Sequence, residues 1–286
     1  MAQEYRQIVL SEPKPFVKWA GGKRQLMSEL ERNFPTKFDT YLEPFLGGGA
    51  VMFDLLAKRS NLKCNVSDLN SDLVLAYVTI RDRISRLIES LENHSKNYHK
   101  DSTRYYYEVR DQEPKNQIEK VSRLLFLNKT CFNGLYRVNS KGKFNVPMGR
   151  YTNPNIVNKE NLQIVSKALQ TEKIKISCRD FESVINDAKK DDFVYFDPPY
   201  QPVSDTANFT SYTHRDFTED DLERLVDLAN RLDSKGCNVL LSNSNSKTVK
   251  KLFSSEWNIT EIKANRAINS NSQKRTGHKE IIIKNY

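Results

Sequence analysis

Apolar and polar positions follow two different rhythms along the chain, and the change between them divides it. Early on, Thr40-Tyr41-Leu42 is a short apolar run closing in Glu43-Pro44, followed by the glycine-rich Phe45-Leu46-Gly47-Gly48-Gly49 and a helical stretch at residues 50–58. A second strand candidate, residues 62–67, ends at Asp68. Strand, glycine turn and helix in that order predict the opening unit of a doubly wound sheet. The same rhythm returns late. Residues 173–177 and 192–196 read as strands, the second an aromatic and β-branched run closed by Asp197-Pro198-Pro199-Tyr200. Residues 218–232 read as a helix, because Leu222, Leu225, Val226, Leu228, Ala229 and Leu232 keep a helical period, with Thr218 and Asp221 placed to cap it. Residues 238–241 give another strand, and 257–262 with 280–284 a closing pair.

Between these regions the pattern is different. Residues 72–91 and 118–127 read as helices and lead into an Asn- and Gly-rich segment, 128–151. No internal repeat is visible. The arrangement predicts an α/β fold: a discontinuous Rossmann-like domain, residues 1–70 and 158–286, carrying a mainly helical insertion at 71–157. A length of 286 residues suits one domain with an inserted second one. No apolar run approaches the roughly 18 residues of a membrane span. The opening MAQEYRQIVLSEPKP has no apolar signal core, so a cytoplasmic protein is expected.

The formal net charge of +9 says little alone, but its placement says more. Residues 120–159 hold Lys120, Arg123, Lys129, Arg137, Lys141, Lys143, Arg150 and Lys159 without one Asp or Glu. Residues 262–279, also free of acids until Glu280, add Lys263, Arg266, Lys274, Arg275 and Lys279. A polyanion partner is favoured. Cys64, Cys131, Cys178 and Cys237 are widely spaced and no histidine stands at ligand spacing, so neither a disulfide nor a metal is expected.

Two constellations carry chemistry. Asp68 follows Gly49 by 19 residues at the end of the next strand, where a carboxylate can accept hydrogen bonds from ribose hydroxyls. A nucleoside cofactor follows. The stretch Val17-Lys18-Trp19-Ala20-Gly21-Gly22-Lys23-Arg24 lacks the first glycine and final hydroxyl of a P-loop, and the first glycine turn departs from dinucleotide spacing. Both departures favour a cofactor with no phosphate to cradle, such as S-adenosylmethionine. The second constellation is Asp197-Pro198-Pro199-Tyr200 at a strand end. A carboxylate and a prolyl carbonyl can each accept an N–H from an exocyclic amine, and Tyr200 offers a face on which a base can stack.

At these residues the sequence resembles the DNA adenine methylase family, including the adenine methylases of GATC-specific restriction–modification systems. The likeness runs through Phe16 to Lys23, Glu43 to Gly49, Ser67-Asp68-Leu69-Asn70, Phe132 to Arg137, Phe144 to Tyr151, Asp197 to Tyr200 and Asn208 to Tyr212. It implies a Rossmann-like, S-adenosylmethionine-dependent methyltransferase sheet with an inserted DNA-recognition domain. It further implies methyl transfer to N6 of an adenine flipped from duplex DNA within GATC. Asp197, Pro198, Pro199 and Tyr200 would be catalytic. Trp19, Lys23, Phe45, Gly47, Gly49, Asp68, Asp180, Phe181 and Asp197 would meet the cofactor. Lys18, Phe132, Asn133, Leu135, Arg137, Lys143, Pro147, Arg150 and Tyr151 would meet DNA, with Arg137 reading a guanine, Lys18 reaching the first guanine, and Leu135 and Pro147 meeting a thymine methyl. Phe132 stands where some members carry tyrosine and keeps the ring that wedges into the base stack. Double-stranded DNA is the partner implied, with a cognate restriction endonuclease as a separate protein and the methylase itself monomeric. An N4-cytosine or RNA-adenine methyltransferase, and a DNA-binding module with a relic cofactor fold, are the competing readings.

Overall fold

A computed structural model describes residues 12–19, 21–59, 61–139, 141–200, 217–253, 256–264 and 278–286. The segment Asn208 to Tyr212 and most of the basic stretch 262–279 lie outside them. Among the described residues seven strands form one sheet in the order β3-β2-β1-β4-β5-β7-β6. They are β1 Thr40–Glu43, β2 Lys63–Asp68, β3 Ile174–Cys178, β4 Phe193–Phe196, β5 Asn238–Ser244, β6 Asn258–Ala264 and β7 His278–Lys284. The first five run parallel, and β7 lies antiparallel between β5 and β6. All four residues of β4 are buried, as a parallel strand covered on both faces requires.

Strand side chains alternate between two cores. Tyr41, Phe193, Tyr195, Leu240 and Ile282 belong to one. Leu42, Val194, Phe196, Leu241, Ile281 and Ile283 belong to the other, beneath α8 (Glu219–Ser234). Helix α8 starts with the expected capping box: Thr218 accepts from the Asp221 N–H, and Asp221 accepts from the Thr218 N–H. The first core continues without a break into residues 121–146, where Leu124, Phe126, Phe144 and Val146 are buried.

The connection from β2 to β3 is built on α3 (Ser71–Tyr98), which packs against β2, β3 and α6 (Lys159–Leu169) as well as α4 (Ser102–Asp111) and α5 (Gln117–Thr130). Asn70 caps it by accepting from Asp72 N and Leu73 N. Helical geometry breaks at Arg83 (φ −138°, ψ 33°), and there the Gln170 side chain donates to the Arg81 carbonyl (2.8 Å). A donor entering the backbone ladder is a recognised cause of such a kink. The sequence pattern leaves out α4, which buries only Tyr106 and Val109, and also α6, whose Leu162, Val165 and Leu169 do keep a helical period. Shorter helices are α1 (Met27–Glu31), α2 (Ala50–Lys58), α7 (Val184–Asp187) and α9 (Lys247–Leu252). Among the described residues no helix is long and apolar enough to cross a membrane.

Candidate active site and nucleic-acid interface

The strand order reverses between β1 and β4, so the chain leaves these two strands toward opposite faces and opens a crevice at their carboxyl ends. The acidic residues Glu43, Asp68 and Asp197 stand at or just past the ends of β1, β2 and β4, and Asp180 follows β3. The glycine loop after β1 is fixed from β2. Asp68 accepts from Gly47 N through Oδ2 and from Asn70 N through Oδ1, both at 2.8 Å, and Leu46 N donates to Ser67 O at 2.9 Å. Burial raises the Asp68 carboxyl above its usual range, against the pull of those N–H donors. Tyr77 of α3 donates to Gly47 O (3.0 Å), and Trp19 lies so close that a Cβ on Gly47 would stand 3.2 Å from its ring.

Glu43 is 3% exposed, and its Oε2 has no partner. Burial pushes this carboxyl well above the usual range, and the neighbouring Asp197 and Asp68 carboxylates add to the effect. A buried acceptor left over at the mouth of a ligand crevice fits a ligand that brings donors, such as an ammonium. Glu43 closes the strand that precedes the glycine loop, and that placement is the signal that could have singled it out from sequence.

Asp197 is held from two sides. Its Oδ1 lies 2.7 Å from Lys23 Nζ and 2.9 Å from Ser242 Oγ, and Ser242 is in turn bonded to the Tyr195 hydroxyl (2.9 Å). Burial raises the Asp197 carboxyl, although Lys23 and Ser242 oppose the shift. Lys23 Nζ also donates to Gly21 O (2.8 Å) and lies 4.8 Å from the centre of the Tyr200 ring. Tyr200 donates to Glu280 Oε2 (2.7 Å). The ammonium of Lys23 is thus gripped by a carboxylate, a backbone carbonyl and an aromatic face. These are the kinds of group an exocyclic amine would need. Pro198 is buried and Pro199 exposed.

Phe45 stacks on Phe181 (5.2 Å, 25°), and Arg224 of α8 lies over the other ring (4.8 Å). Arg224 also holds Asp180 (2.9 Å), Asp221 (2.7 Å) and Glu182. The Asp180 carboxylate is therefore partly engaged within the protein, and it caps Glu182 N as well. Leu69, between Asp68 and Asn70, is half exposed, an apolar side chain beside the crevice.

A second face adjoins the crevice. Asn128 of α5 accepts from Lys18 N and donates to Lys18 O, both at 2.8 Å, and donates to Gly134 O (3.0 Å). Lys18 Nζ donates to the Tyr151 hydroxyl (3.2 Å). Lys18 and Gly134, far apart in sequence, thus meet around one buried amide, and Tyr151 joins them through the Lys18 ammonium. Trp19 packs on Tyr136 (5.3 Å), whose hydroxyl donates to Asp72 Oδ2 (3.1 Å). Phe132 is 43% exposed, a large apolar side chain that burial in a partner would favour. Asn133 beside it has a left-handed backbone (φ 55°). Leu135 is half-buried against the core, whereas Pro147 and Arg150 are exposed.

The acid-free run is less cationic in space than along the chain. Lys120 pairs with Asp72 (2.8 Å), Lys143 with Glu113 (2.8 Å) and Lys159 with Glu92 (3.0 Å), all acids from outside the run. Arg123 caps the end of α4 through Val109 O and Arg110 O. Lys143, expected at DNA, is thus engaged in an exposed pair, which exchanges readily for a phosphate. Lys129 differs. It is half-buried, with no hydrogen-bond or ion-pair partner among the described residues, and burial together with the Lys18 charge pushes its ammonium down to about 8.

The pattern of the D12 class N6 adenine-specific DNA methyltransferases matches residues 19–268. Among curated proteins, the chain is 45% identical to the type II methyltransferase M.MjaIII of Methanocaldococcus jannaschii, over 96% of this chain and all of that one. It is 43% identical to the type II methyltransferase M1.LlaDCHI of Lactococcus lactis subsp. cremoris, covering 96% and 95%. It is 30% identical to the DNA adenine methylase of Escherichia coli K12, again covering 96% and 95%. With a sheet that reverses at this crevice and an Asp197-Pro198-Pro199-Tyr200 turn at its edge, the chain belongs to the D12 class of N6 adenine-specific DNA methyltransferases.

Proposed function

We propose that the chain transfers a methyl group from S-adenosylmethionine to N6 of an adenine flipped out of duplex GATC, with residues 71–157 as its target-recognition part. The grip of Asp197, Gly21 O and Tyr200 on an amine nitrogen is the observation that carries the reading. The cofactor fits the residues present: the remaining lone pairs of Asp68 would accept from ribose hydroxyls, the Glu43 oxygen without a partner suits an ammonium, and Trp19, Phe45 and Phe181 would supply apolar walls. When bound, it supplies a methyl group on a sulfonium. Asp197 accepts one N–H of the adenine amine and a prolyl carbonyl the other, which turns the nitrogen lone pair toward the methyl carbon. With both N–H groups engaged by Asp197 and the prolyl carbonyl, the amine nitrogen would be held in its pyramidal, nucleophilic form toward the group that Asp68, Trp19 and Phe45 would hold. Flipping costs a few kcal/mol. Phe132 fills the space left in the stack, Lys18 reaches the first guanine, and contacts from Arg150 and Tyr151 to phosphates offset the cost.

Tritiated methyl from S-adenosylmethionine, followed by digestion with endonucleases of differing methylation sensitivity, tests the reading. Label in GATC adenine is the expected result. Label at another sequence removes GATC alone, and label absent from all DNA removes the function.

Lys129, whose ammonium feels the Lys18 charge, would give the proposed complex a pH dependence if it too faces the duplex. A phosphate near its ammonium raises the pKa in the complex above the value of about 8 in the free protein. Affinity is then full below pH 8 and falls as pH rises through it, by at most about tenfold per pH unit. Anisotropy titrations at fixed salt between pH 7 and pH 9 should show this loss, and Lys129→Met should flatten it. An unchanged slope in the variant would remove Lys129 from the DNA face.

A further inference from the structure

We infer that Asn145 is a specificity-positioning residue, holding Arg137 so that the end of its guanidinium is presented to a guanine. The inference rests on the proposed reading of guanine by Arg137. Arg137 Nε donates to Asn145 Oδ1 (2.8 Å), Arg137 Nη2 donates to Asn145 O (3.3 Å), and Asn145 N donates to Arg137 O (3.1 Å). Three hydrogen bonds therefore join these two residues.

The Asn145 backbone is itself anchored. Phe144 and Val146 on either side are buried, so Asn145 faces the opposite way from both, as alternation along an extended segment requires. Val146 O accepts from the buried Tyr106 hydroxyl (2.9 Å), and Phe144 pairs with Val138 in an antiparallel bridge. The tip of this ribbon is closed by Asn139. Its N–H donates to Lys143 O (2.9 Å), and its Oδ1 accepts from Lys141 N and Lys143 N, both at 3.0 Å. Core, bridge and tip fix Asn145, and Asn145 fixes Arg137.

The chemistry follows from the donors left over. A guanidinium has five N–H groups in a rigid fork. Asn145 engages the Nε side, so the free pair is the Nη1–Nη2 end, whose two parallel N–H bonds match guanine O6 and N7. Arginine is otherwise rich in rotamers. An arginine already ordered gives up less freedom on meeting its base, and the saving applies only where a guanine accepts both bonds.

The test is kcat/KM for methylation of GATC duplexes carrying each single base-pair change. Arg137→Ala identifies the pair it reads, with discrimination there falling about 5- to 150-fold. Asn145→Ala should lower discrimination at that same pair by roughly 2- to 12-fold and leave the other pairs unchanged. In the Arg137→Ala background it should add nothing at that pair. Asn145→Asp keeps the Oδ acceptor, so it should retain discrimination while weakening all duplexes alike through its charge. Asn145→Ala that weakens every duplex equally, or acts as strongly without Arg137, overturns the inference. If Arg137→Ala is itself unselective, the reading by Arg137 falls first and the inference with it.

Discussion

Asp197→Ala should lower methyl transfer by about a thousandfold, the usual cost of deleting one preorganised polar group at a reacting centre. Two effects will appear together and can be separated. The first is chemical: the amine loses the acceptor that orients it. The second is structural, because the Lys23 side chain is 4% exposed and its ammonium would remain without the carboxylate 2.7 Å away. Breaking a buried pair on one side costs about 3–5 kcal/mol. Asp197→Ala with Lys23→Met should therefore regain much of the lost thermal stability and none of the activity. Single-turnover methylation and thermal melts on the single and double variants read the two effects. Turnover kept in the single variant would take Asp197 out of the reaction.

Gly49→Ala should destabilise the fold by about 3 kcal/mol and weaken cofactor binding with it. Gly49 has φ +68°, a region costly for a residue with a Cβ. A Cβ there would also stand 2.6 Å from the Tyr77 hydroxyl and 3.3 Å from Met52 and Phe53. Tyr77 cannot retreat without releasing Gly47 O, so strain passes straight to the loop that closes on Asp68. A fall in Tm on the order of 5–10 °C is expected. Adding Tyr77→Phe removes the clashing oxygen, so the double variant should be less destabilised than the sum of the two singles. A Gly49→Ala protein with unchanged Tm and cofactor affinity would show that the loop yields freely.

Strands β1, β2 and β4 were legible because they are short and closed by an acidic residue or proline, and α8 because six apolar residues keep one face. Helix α4 was not, since two buried residues set no period. The site was legible where chemistry follows contiguous sequence, as at Asp197 to Tyr200. It was illegible where a polar residue works through distant backbone. Asn128 meets Lys18 across 110 positions, and Tyr77 reaches Gly47 from inside an ordinary helix pattern. Charge along the chain overstates charge in space for the same reason: Asp72, Glu92 and Glu113, from outside the basic run, neutralise part of it.

Trp19 lies against the glycine loop with one part of its ring and against Tyr136 of the insertion with another. On the proposed reading, a single indole would be common to the wall around the nucleoside and the wall around the duplex. A shift in that ring made by one ligand would then reach the other, and any such heterotropic linkage must be reciprocal. The factor by which the methyl donor tightens or loosens the hold on the duplex is the factor the duplex imposes on the donor in return.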